Sequence, residues 1–459
     1  MPDDRGAAEA TTAFPDVASF VRGIAFADLP PDVALQATRC LLDLIGVAAA
    51  GTRTHASGIA RSYAASQLCG YDETARMLFD GRRAGIAGAA FAGAATIDAI
   101  DGHDGHVLTK GHAGVAILPA LLALCDNAKR EHAVDGREFL TCLVLGYEIA
   151  TRAGMAQHAS APEYHCSGSW NSVGCAAVAA RFLSLDEARI REALGIAEYF
   201  GPGGQILRTC DTPSMVKDGS GWGAHVGIAA AWLARDGYTG APAVTVEGAD
   251  AKQYWTDLGA RWRIREQYFK AYPVCRWAQP AVEAALSLQR AHGFAAEDIA
   301  HISIESFGEA IALGSRCSAP ETTEDAQYSL PYPVVAVLVF GHLGAEEIDV
   351  PKLADPRVRR LLDLMVLTEN SEYSRLFPAE RWARVEITLN DGRKLVSEPA
   401  RARGNPENPL ADAELRAKYF EFAEPVLGRP RAQRIERLVS ELRHGDAVTE
   451  LLEDLLRST

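Results

Sequence analysis

The sequence predicts a mostly α-helical protein in which a large all-helical domain carries a smaller inserted α+β lid domain. From about Val17 to Ala260 the chain consists of Ala-rich and Leu-rich segments with apolar residues at helical spacing, broken by Gly, Asp and Asn. After Trp262 shorter alternating segments appear, and helical patterning returns from about Gly404. We therefore expect residues 1–262 and 403–459 to form the helical domain and residues 263–402 the lid domain.

The helical segments are long and rich in small residues. Typical segments are VALQATRCLLDLIGVAAAG from Val33, REFLTCLVLGYEIATRAG from Arg137 and LDEARIREALGIAEYF from Leu185. GIAGAAFAGAATIDAI from Gly85 is almost entirely small and apolar, which permits close approach of helices. These segments predict a dense, buried bundle.

The α+β domain is predicted from two strand patterns. HISIES from His301 alternates apolar and polar residues, and ARVEITLNDGRKLVSEPA from Ala383 is typical of a hairpin that turns at Asp391-Gly392. The segment from Gly404 has helix breakers followed by helical pattern. We expect it to return the chain to the helical domain.

Composition excludes several classes of function. The formal net charge of −14 argues against nucleic acid as a partner, because phosphate binding needs a basic surface. The 9 cysteines are scattered without a C-x-x-C pair, which favours a reducing cytoplasm over a disulfide framework or a zinc ribbon. The N-terminus has no signal-peptide pattern, and no run of about 18 apolar residues is evident, so we expect no membrane contact.

The densest group of polar residues precedes the apolar run AGVAILPALLAL. Its six potentially charged side chains are Asp101, His103, Asp104, His106, Lys110 and His112. A histidine just before a helix lies near unpaired backbone N–H groups, which favour a bound anion and disfavour the protonated imidazole. Asp101 and Asp104 would orient or balance the histidines. The alternative interpretation is a solvated helix-capping loop with incidental histidines.

Three further groups have a similar design. His165 and Ser167 lie in a polar loop before an apolar helix, and Lys217 precedes glycines and a small-residue helix. Lys270 and Arg276 lie at the expected domain junction, a common place for ligand clefts. Taken singly, His165 is as well explained as an interior hydrogen-bonded histidine and Lys217 as a surface lysine.

Taken together and in order, these motifs resemble those of the MmgE/PrpD family, which includes 2-methylcitrate dehydratase, cis-aconitate decarboxylase and an iminodisuccinate epimerase. The matching positions are Asp101, Asp104 and His112-Ala113-Gly114 with Pro119, then Gly146-Tyr147-Glu148, His165 and Lys217. They continue with Lys270-Ala271-Tyr272-Pro273-Val274-Cys275, Tyr328-Ser329-Leu330-Pro331-Tyr332 and the final G-x-P-x-N-P from Gly404 to Pro409.

The resemblance implies a homodimeric enzyme that needs no metal or organic cofactor. It implies proton handling by His112 and His165, with Asp101 setting the state of one of them and Lys217 holding a carboxylate. The expected substrate-binding residues are Asp104, His106, Lys110, Ser167, Lys270, Arg276, Gln279 and Tyr332. The chain departs from the family pattern at Gly105, Ala113, Ser220 and Gln279.

The implied function is a lyase that dehydrates or decarboxylates a small di- or tricarboxylate of citrate or aconitate type by acid–base chemistry beside a carboxylate. An epimerase or isomerase of an amino- or imino-dicarboxylate on the same scaffold is one alternative. A metal-dependent hydrolase that uses the cluster from Asp101 to His112 is another, since those side chains include ligands that zinc accepts. A third alternative is a catalytically silent member that binds or scaffolds.

Overall fold

The computed structural model describes residues 14–127, 134–161, 163–316, 319–445 and 448–459. The helices of its first half are α1 Val17–Gly23, α2 Pro31–Gly51, α3 His55–Gln67, α4 Ile86–Asp98, α5 Gly114–Asn127, α6 Gly136–Ser160, α7 Ser167–Phe182, α8 Glu187–Phe200, α9 Ile206–Asp211, α10 Ser220–Arg235 and α11 Val244–Glu247. The long predicted helical segments are confirmed in α2, α4, α6 and α8. Side-chain caps fix two of their starts: Asp135 accepts from Glu138 N (2.8 Å) and Asp186 from Arg189 N (2.9 Å).

Helix α7 lies at the centre of the bundle, packed against α5, α6, α8 and α10. Small residues permit this packing. A side chain at Gly223 of α10 would place its Cβ 2.5 Å from the carbonyl oxygen of Gly168 in α7. The N-termini of α7 and α10 therefore lie side by side, and Gly168 N donates to the carbonyl of Asp218 (2.9 Å).

The second half of the chain contains a five-stranded sheet. Its strands are β5 Ile299–Ser306, β6 Met365–Glu369, β7 Trp382–Leu389, β8 Lys394–Val396 and β9 Ala400–Arg401. The order is β6-β5-β7-β8, with β9 also paired to β7; β5 and β6 are parallel and the other pairs antiparallel. The predicted strand at HISIES and the hairpin are confirmed, and Gly392 adopts the positive φ of 88° that its turn requires.

Helices surround this sheet and complete the chain. They are α12 Gln279–His292, α13 Gly308–Arg316, α14 Thr323–Gln327, α15 Pro331–Phe340, α16 Val350–Leu353, α17 Pro356–Leu362, α18 Ser371–Leu376, α19 Asp412–Leu427, α20 Arg429–Glu441 and α21 Thr449–Leu456. Helix α12 packs on β7, whereas α19 packs on α2, where Lys418 Nζ and Asp43 form a buried ion pair (2.6 Å). The C-terminal segment thus lies against the first-half helices, while the exact domain limits stay a prediction.

The first half of the chain is not entirely helical, which corrects the sequence analysis. Strands β1 Thr74–Arg76 and β2 Arg83–Gly85 form an antiparallel ribbon, and β3 Gly105–His106 pairs with β4 Gln267–Tyr268. Such strands of two or three residues are too short to show a period in the sequence. The pairing of β3 with β4 brings the loop after α4 beside the segment that follows β4.

Helix α2 is long and apolar enough to cross a membrane by length and composition, which the sequence analysis overlooked. In the described structure 78% of its most apolar window is buried among other helices. This burial is the property of a core helix, so its apolar composition is accounted for by packing within the protein.

The close approach of α7 and α10 generates a stability prediction. We expect Gly223→Ala to lower the free energy of unfolding by roughly 1–3 kcal/mol, because the new methyl group must displace the backbone of Gly168. Gly58→Ala in α3 is the matched control: no atom lies within 4 Å of its Cβ, so we expect an unchanged or slightly higher stability. Urea unfolding of both variants tests this, and equal midpoints would contradict the packing.

Candidate active site

A small cavity of about 40 Å³ lies where distant loops meet between the helical bundle and the sheet-containing segment. Its charged or titratable lining side chains include Asp101, Asp218, His112, Lys110, Lys270, Arg276 and Arg381. The aromatic side chains on its wall are Tyr164, Tyr268, Trp277 and Tyr328. Four cationic side chains therefore face two carboxylates in a protein whose net charge is −14.

The imidazole of His112 is held in one orientation. Its Nδ1 lies 2.5 Å from the carbonyl oxygen of Asp104, so Nδ1 carries the proton and donates to that oxygen. Nε2 then faces the carboxylates of Asp218 (3.6 Å) and Asp101 (4.0 Å). Burial, reinforced by Lys270, lowers the pKa of His112 to about 3. His112 is consequently neutral near pH 7, with the lone pair of Nε2 directed to the acidic side of the cavity.

The first turn of α7 fixes the backbone of His112. Its N–H donates to Ser167 Oγ (3.0 Å), and its carbonyl accepts from Asn171 Nδ2 (3.0 Å). Ser167 is buried and absent from the cavity wall, so its placement supports a role in positioning His112 instead of the predicted contact with substrate.

Asp101 and Lys270 form a buried ion pair at the cavity wall. Burial alone would raise the pKa of Asp101, but the ammonium of Lys270 holds it well below its usual range. Gln327 Oε1 accepts from Asp101 N (2.8 Å) and from Lys217 Nζ (2.5 Å). Lys217 lies behind Tyr328, with Nζ 4.8 Å from the ring centroid, so it reaches the site through these neighbours.

Asp104 lies behind His112, away from the cavity wall. Its carboxylate accepts a hydrogen bond from the Tyr147 hydroxyl, and burial raises the pKa of Asp104 to about 7. The predicted role of Asp104 in substrate binding is not supported by this placement, since its backbone and side chain are both used to hold His112 and its loop.

The cationic end of the cavity is formed by Lys110 and Arg276, which were expected to bind substrate, together with Arg381. Nζ of Lys110 lies 4.5 Å from the centroid of the Tyr164 ring. Arg276 Nη1 donates to Gln279 Oε1 (2.8 Å), and Gln279 Nε2 donates to the carbonyls of Tyr272 and Val274 (3.0 Å each). Gln279 is fully buried and supports Arg276 from behind, so it is not positioned to touch substrate.

Three other predicted site residues lie off the cavity wall. His165 is half-buried, and its carbonyl accepts from His158 Nε2 (3.4 Å). His106 Nε2 contacts Glu266 (3.0 Å) beside the β3–β4 pair, and the hydroxyl of Tyr332 donates to the carbonyl of Glu347. Their placement does not support the roles predicted for them, because the contacts they make lie within the scaffold.

Sequence reasoning missed several residues of the site. Asp218 directly follows Lys217, and Tyr268 precedes Lys270 by two positions, so a wider window around each lysine would have included them. Tyr328 belongs to a recognised motif but was not assigned a role. Gln327 and Arg381 carried no sequence signal of a site.

A possible metal-ligand group also lies here. In the described part of the chain, ligand atoms of Asp101, His103 and His112 come within 4.8 Å of one another. The ammonium of Lys270 already contacts the Asp101 carboxylate, and Nδ1 of His112 is used by the Asp104 carbonyl. A divalent cation would thus face a buried positive charge, so the geometry favours an acid–base site.

Comparison with known proteins gives the family. A sequence model of the MmgE/PrpD N-terminal domain matches residues 15–264, and one of the C-terminal domain matches residues 272–444. The chain belongs to the MmgE/PrpD family. The resemblance found in its motifs is therefore confirmed, and it extends over nearly the whole chain.

Relatives within the family cover most of the chain. Cis-aconitate decarboxylase-like protein oryM of Aspergillus oryzae is 27% identical over 95% of this chain and 96% of its own length. Human cis-aconitate decarboxylase is 24% identical over 93% of this chain and 90% of its own. The 2-methylcitrate dehydratase of Cupriavidus necator is 27% identical over 61% of this chain and 62% of its own length.

Within this family member, Gly105 leaves no room for a side chain. A Cβ there would lie 2.6 Å from Nδ1 of His112 and 2.6 Å from the hydroxyl oxygen of Tyr268. Gly105 is one of the positions at which the sequence departs from the family pattern, and here two residues of the cavity wall lie against its backbone. This departure alters the immediate surroundings of His112.

The raised pKa of Asp104 predicts a pH dependence of stability. An unfolded aspartate titrates near pH 4, so between about pH 4 and 7 the folded protein binds the extra proton, and stability falls as the pH rises through about 7. We expect the urea midpoint of the wild type to fall more from pH 5 to pH 8 than that of Asp104→Asn, whose neutral amide does not titrate. Asp391→Asn in the exposed hairpin turn is the control, and its urea midpoint should depend on pH as that of the wild type does. The same pH dependence in the wild type and both variants would refute the raised pKa of Asp104.

A paired substitution tests the proton-handling residues. We expect His112→Gln to lower kcat by roughly 10²- to 10⁴-fold, because the positioned Nε2 is lost. His165→Gln should cost at least tenfold less, since His165 is off the cavity wall. Steady-state kinetics on variants of wild-type thermal stability, with a substrate identified by NMR, measure these losses. Equal losses of kcat in the two variants would support the original prediction that His165 and His112 act as a pair.

Proposed function

We propose that this protein is a lyase that acts by acid–base chemistry beside a carboxylate of a small tricarboxylic or dicarboxylic acid of citrate or aconitate type. The observation that carries the proposal is the neutral His112, whose Nε2 opens on a cavity lined by four cations and two carboxylates.

The charge of the cavity supports an anionic substrate. Lys110, Lys270, Arg276 and Arg381 outnumber the acidic side chains on the wall, while the exterior as a whole is acidic. Asp101 is already neutralised by Lys270. The remaining positive charge is available to polar groups that enter the cavity, and carboxylates fit guanidinium and ammonium donors well.

The reacting end lies around His112, Asp101 and Lys270. In a dehydration, Nε2 of His112 takes the proton from the carbon beside a carboxylate, the C–O bond breaks, and the hydroxide leaves as water after protonation. In a decarboxylation, the C–C bond to the departing carboxylate breaks, the electron pair remains on carbon, and a proton replaces CO2. Both routes develop negative charge on the substrate, which Lys270 and neighbouring donors stabilise.

Asp218 suits the supply of a proton to these routes. Burial raises the pKa of Asp218, and its carboxylate lies 3.6 Å from Nε2 of His112 on the cavity wall. A carboxyl group with a raised pKa next to a neutral imidazole brings a candidate acid and a base together. The pair therefore serves either order of proton transfer.

The names of relatives support the same class of reaction. Those that cover 93% or more of this chain include proteins named cis-aconitate decarboxylase from Aspergillus terreus and Homo sapiens, and the shorter match is named 2-methylcitrate dehydratase. Loss of CO2 from an aconitate-type acid is thus our first expectation and loss of water our second. We also propose a cytoplasmic homodimer that needs no cofactor and has no nucleic-acid or membrane partner.

Incubation in D2O with a panel of di- and tricarboxylates tests the proposal. The panel contains citrate, 2-methylcitrate, cis-aconitate and an amino-dicarboxylate, and NMR follows elimination, decarboxylation and proton exchange together. We expect loss of CO2 or water from at least one tricarboxylate. Exchange or inversion without bond cleavage would support the epimerase instead, and a stoichiometric transition metal in the purified protein would support the hydrolase. A lack of reaction with every member would overturn the lyase assignment.

A further inference from the structure

Arg381 reaches the cavity from the sheet-containing segment, at the position just before β7. It is the only side chain from beyond residue 328 among those on the described cavity wall. Its guanidinium carbon lies 5.9 Å from the centroid of the Phe377 ring, which covers one side of it. The side chain is therefore held between the sheet and the ligand space.

Two donor atoms of Arg381 have no acceptor. Nε and Nη2 are buried, and neither makes a hydrogen bond within the part of the chain that the structure describes. Arg276, by contrast, donates to the carbonyl of Arg403 (2.7 Å) and to Asn405 Oδ1 (2.5 Å). Arg381 as a whole is half-buried, but buried N–H donors without an acceptor are costly unless a bound group such as an anion accepts from them.

The surroundings of Arg381 are positively charged. Among the described residues, no ion pair joins Arg381 to an aspartate or a glutamate. Lys110 and Arg276 both lie close enough for the charge of Arg381 to lower their pKa values. Burial lowers the pKa of Lys110, Arg381 lowers it further, and only Glu309 opposes this. Burial likewise lowers the pKa of Arg276 to about 10, with Tyr268 opposing and Arg381 adding to the shift.

This cationic group is separate from the reacting end. The strongest electrostatic influences on His112 come from Lys270, His103, Asp218 and Asp101, and Arg381 is not among them. The cavity thus has two chemically different ends. One end contains His112, and the other presents three cations, of which Arg276 is hydrogen-bonded within the protein and Arg381 has two buried donors without an acceptor.

We propose that Arg381 is a substrate-binding residue that holds a carboxylate remote from the reacting carbon, and so selects acids that carry an additional carboxylate. This inference rests on the proposed function and names the substrate class more closely. The planar guanidinium matches a carboxylate with two parallel N–H···O hydrogen bonds, for which Nε and an Nη are the suitable pair. Because Arg381 comes from the sheet-containing segment, binding also ties that segment to the helical bundle.

Binding of unreactive acids tests the inference without turnover. Tricarballylate resembles citrate without its hydroxyl group, and glutarate is tricarballylate without the central carboxylate. Isothermal titration calorimetry should show that the wild type prefers tricarballylate to glutarate, that Arg381→Gln weakens tricarballylate binding at least tenfold, and that it removes most of the preference. Arg381→Lys should recover part of the affinity, because lysine keeps the positive charge but lacks the two parallel N–H donors of the guanidinium.

Arg384→Gln is the matched control, since Arg384 lies on β7, three residues after Arg381, and is exposed. It should bind both acids as the wild type does, and thermal unfolding confirms that each variant is folded. Wild-type affinity and preference in Arg381→Gln would overturn the inference, as would a wild type that binds neither acid. Tighter binding of inorganic phosphate than of tricarballylate, lost in Arg381→Gln, would also overturn the carboxylate assignment.

The result is separable from that of the turnover assay. A wild type that binds tricarballylate through Arg381 but converts no acid in the NMR panel would refute the lyase and leave the role of Arg381 standing. Turnover of a tricarboxylate with unchanged kcat and KM in Arg381→Gln would support the lyase and refute the role of Arg381.

Discussion

The buried ion pair between Asp101 and Lys270 is the interaction on which the rest of the site depends. Each group alone would be costly to bury, and each stabilises the charge of the other. The pair joins the loop after α4 to the segment after β4, which the β3–β4 pairing brings together. It also places a fixed positive charge near His112, which adds to the effect of burial in lowering the pKa of that imidazole.

The helical bundle contributes precision to this arrangement. Small residues let α7 and α10 approach until their backbones touch, so that Ser167 and Asn171 of α7 hold the backbone of His112 while Asp218 precedes α10. The sheet-containing segment contributes Gln327 and Arg381, which complete the site from the other side. The chemistry is therefore assembled from both halves of the chain, and neither half holds it alone.

Much of this could be predicted from the sequence, and the misses have physical reasons. Helical spacing located the long helices, and the density of charged residues between Asp101 and His112 located a loop that lines the cavity. Spacing along the chain does not reveal which side chains face a cavity. Ser167 and Gln279 were therefore expected to touch substrate, but both lie off the cavity wall. Arg381 was missed because its role arises from a tertiary contact between distant segments, and nothing in its local sequence distinguishes it from other strand-edge arginines.

The crowding at Gly105 constrains how this enzyme can change over evolutionary time. Any side chain introduced there meets both His112 and Tyr268, so a single substitution would displace the His112 ring from its present position. A larger residue at position 105 therefore requires a smaller residue at position 268 together with a shift of the His112 ring, because either neighbour alone would still block it. Grafting the corresponding loop of a relative onto this scaffold requires that both neighbours be accommodated along with position 105.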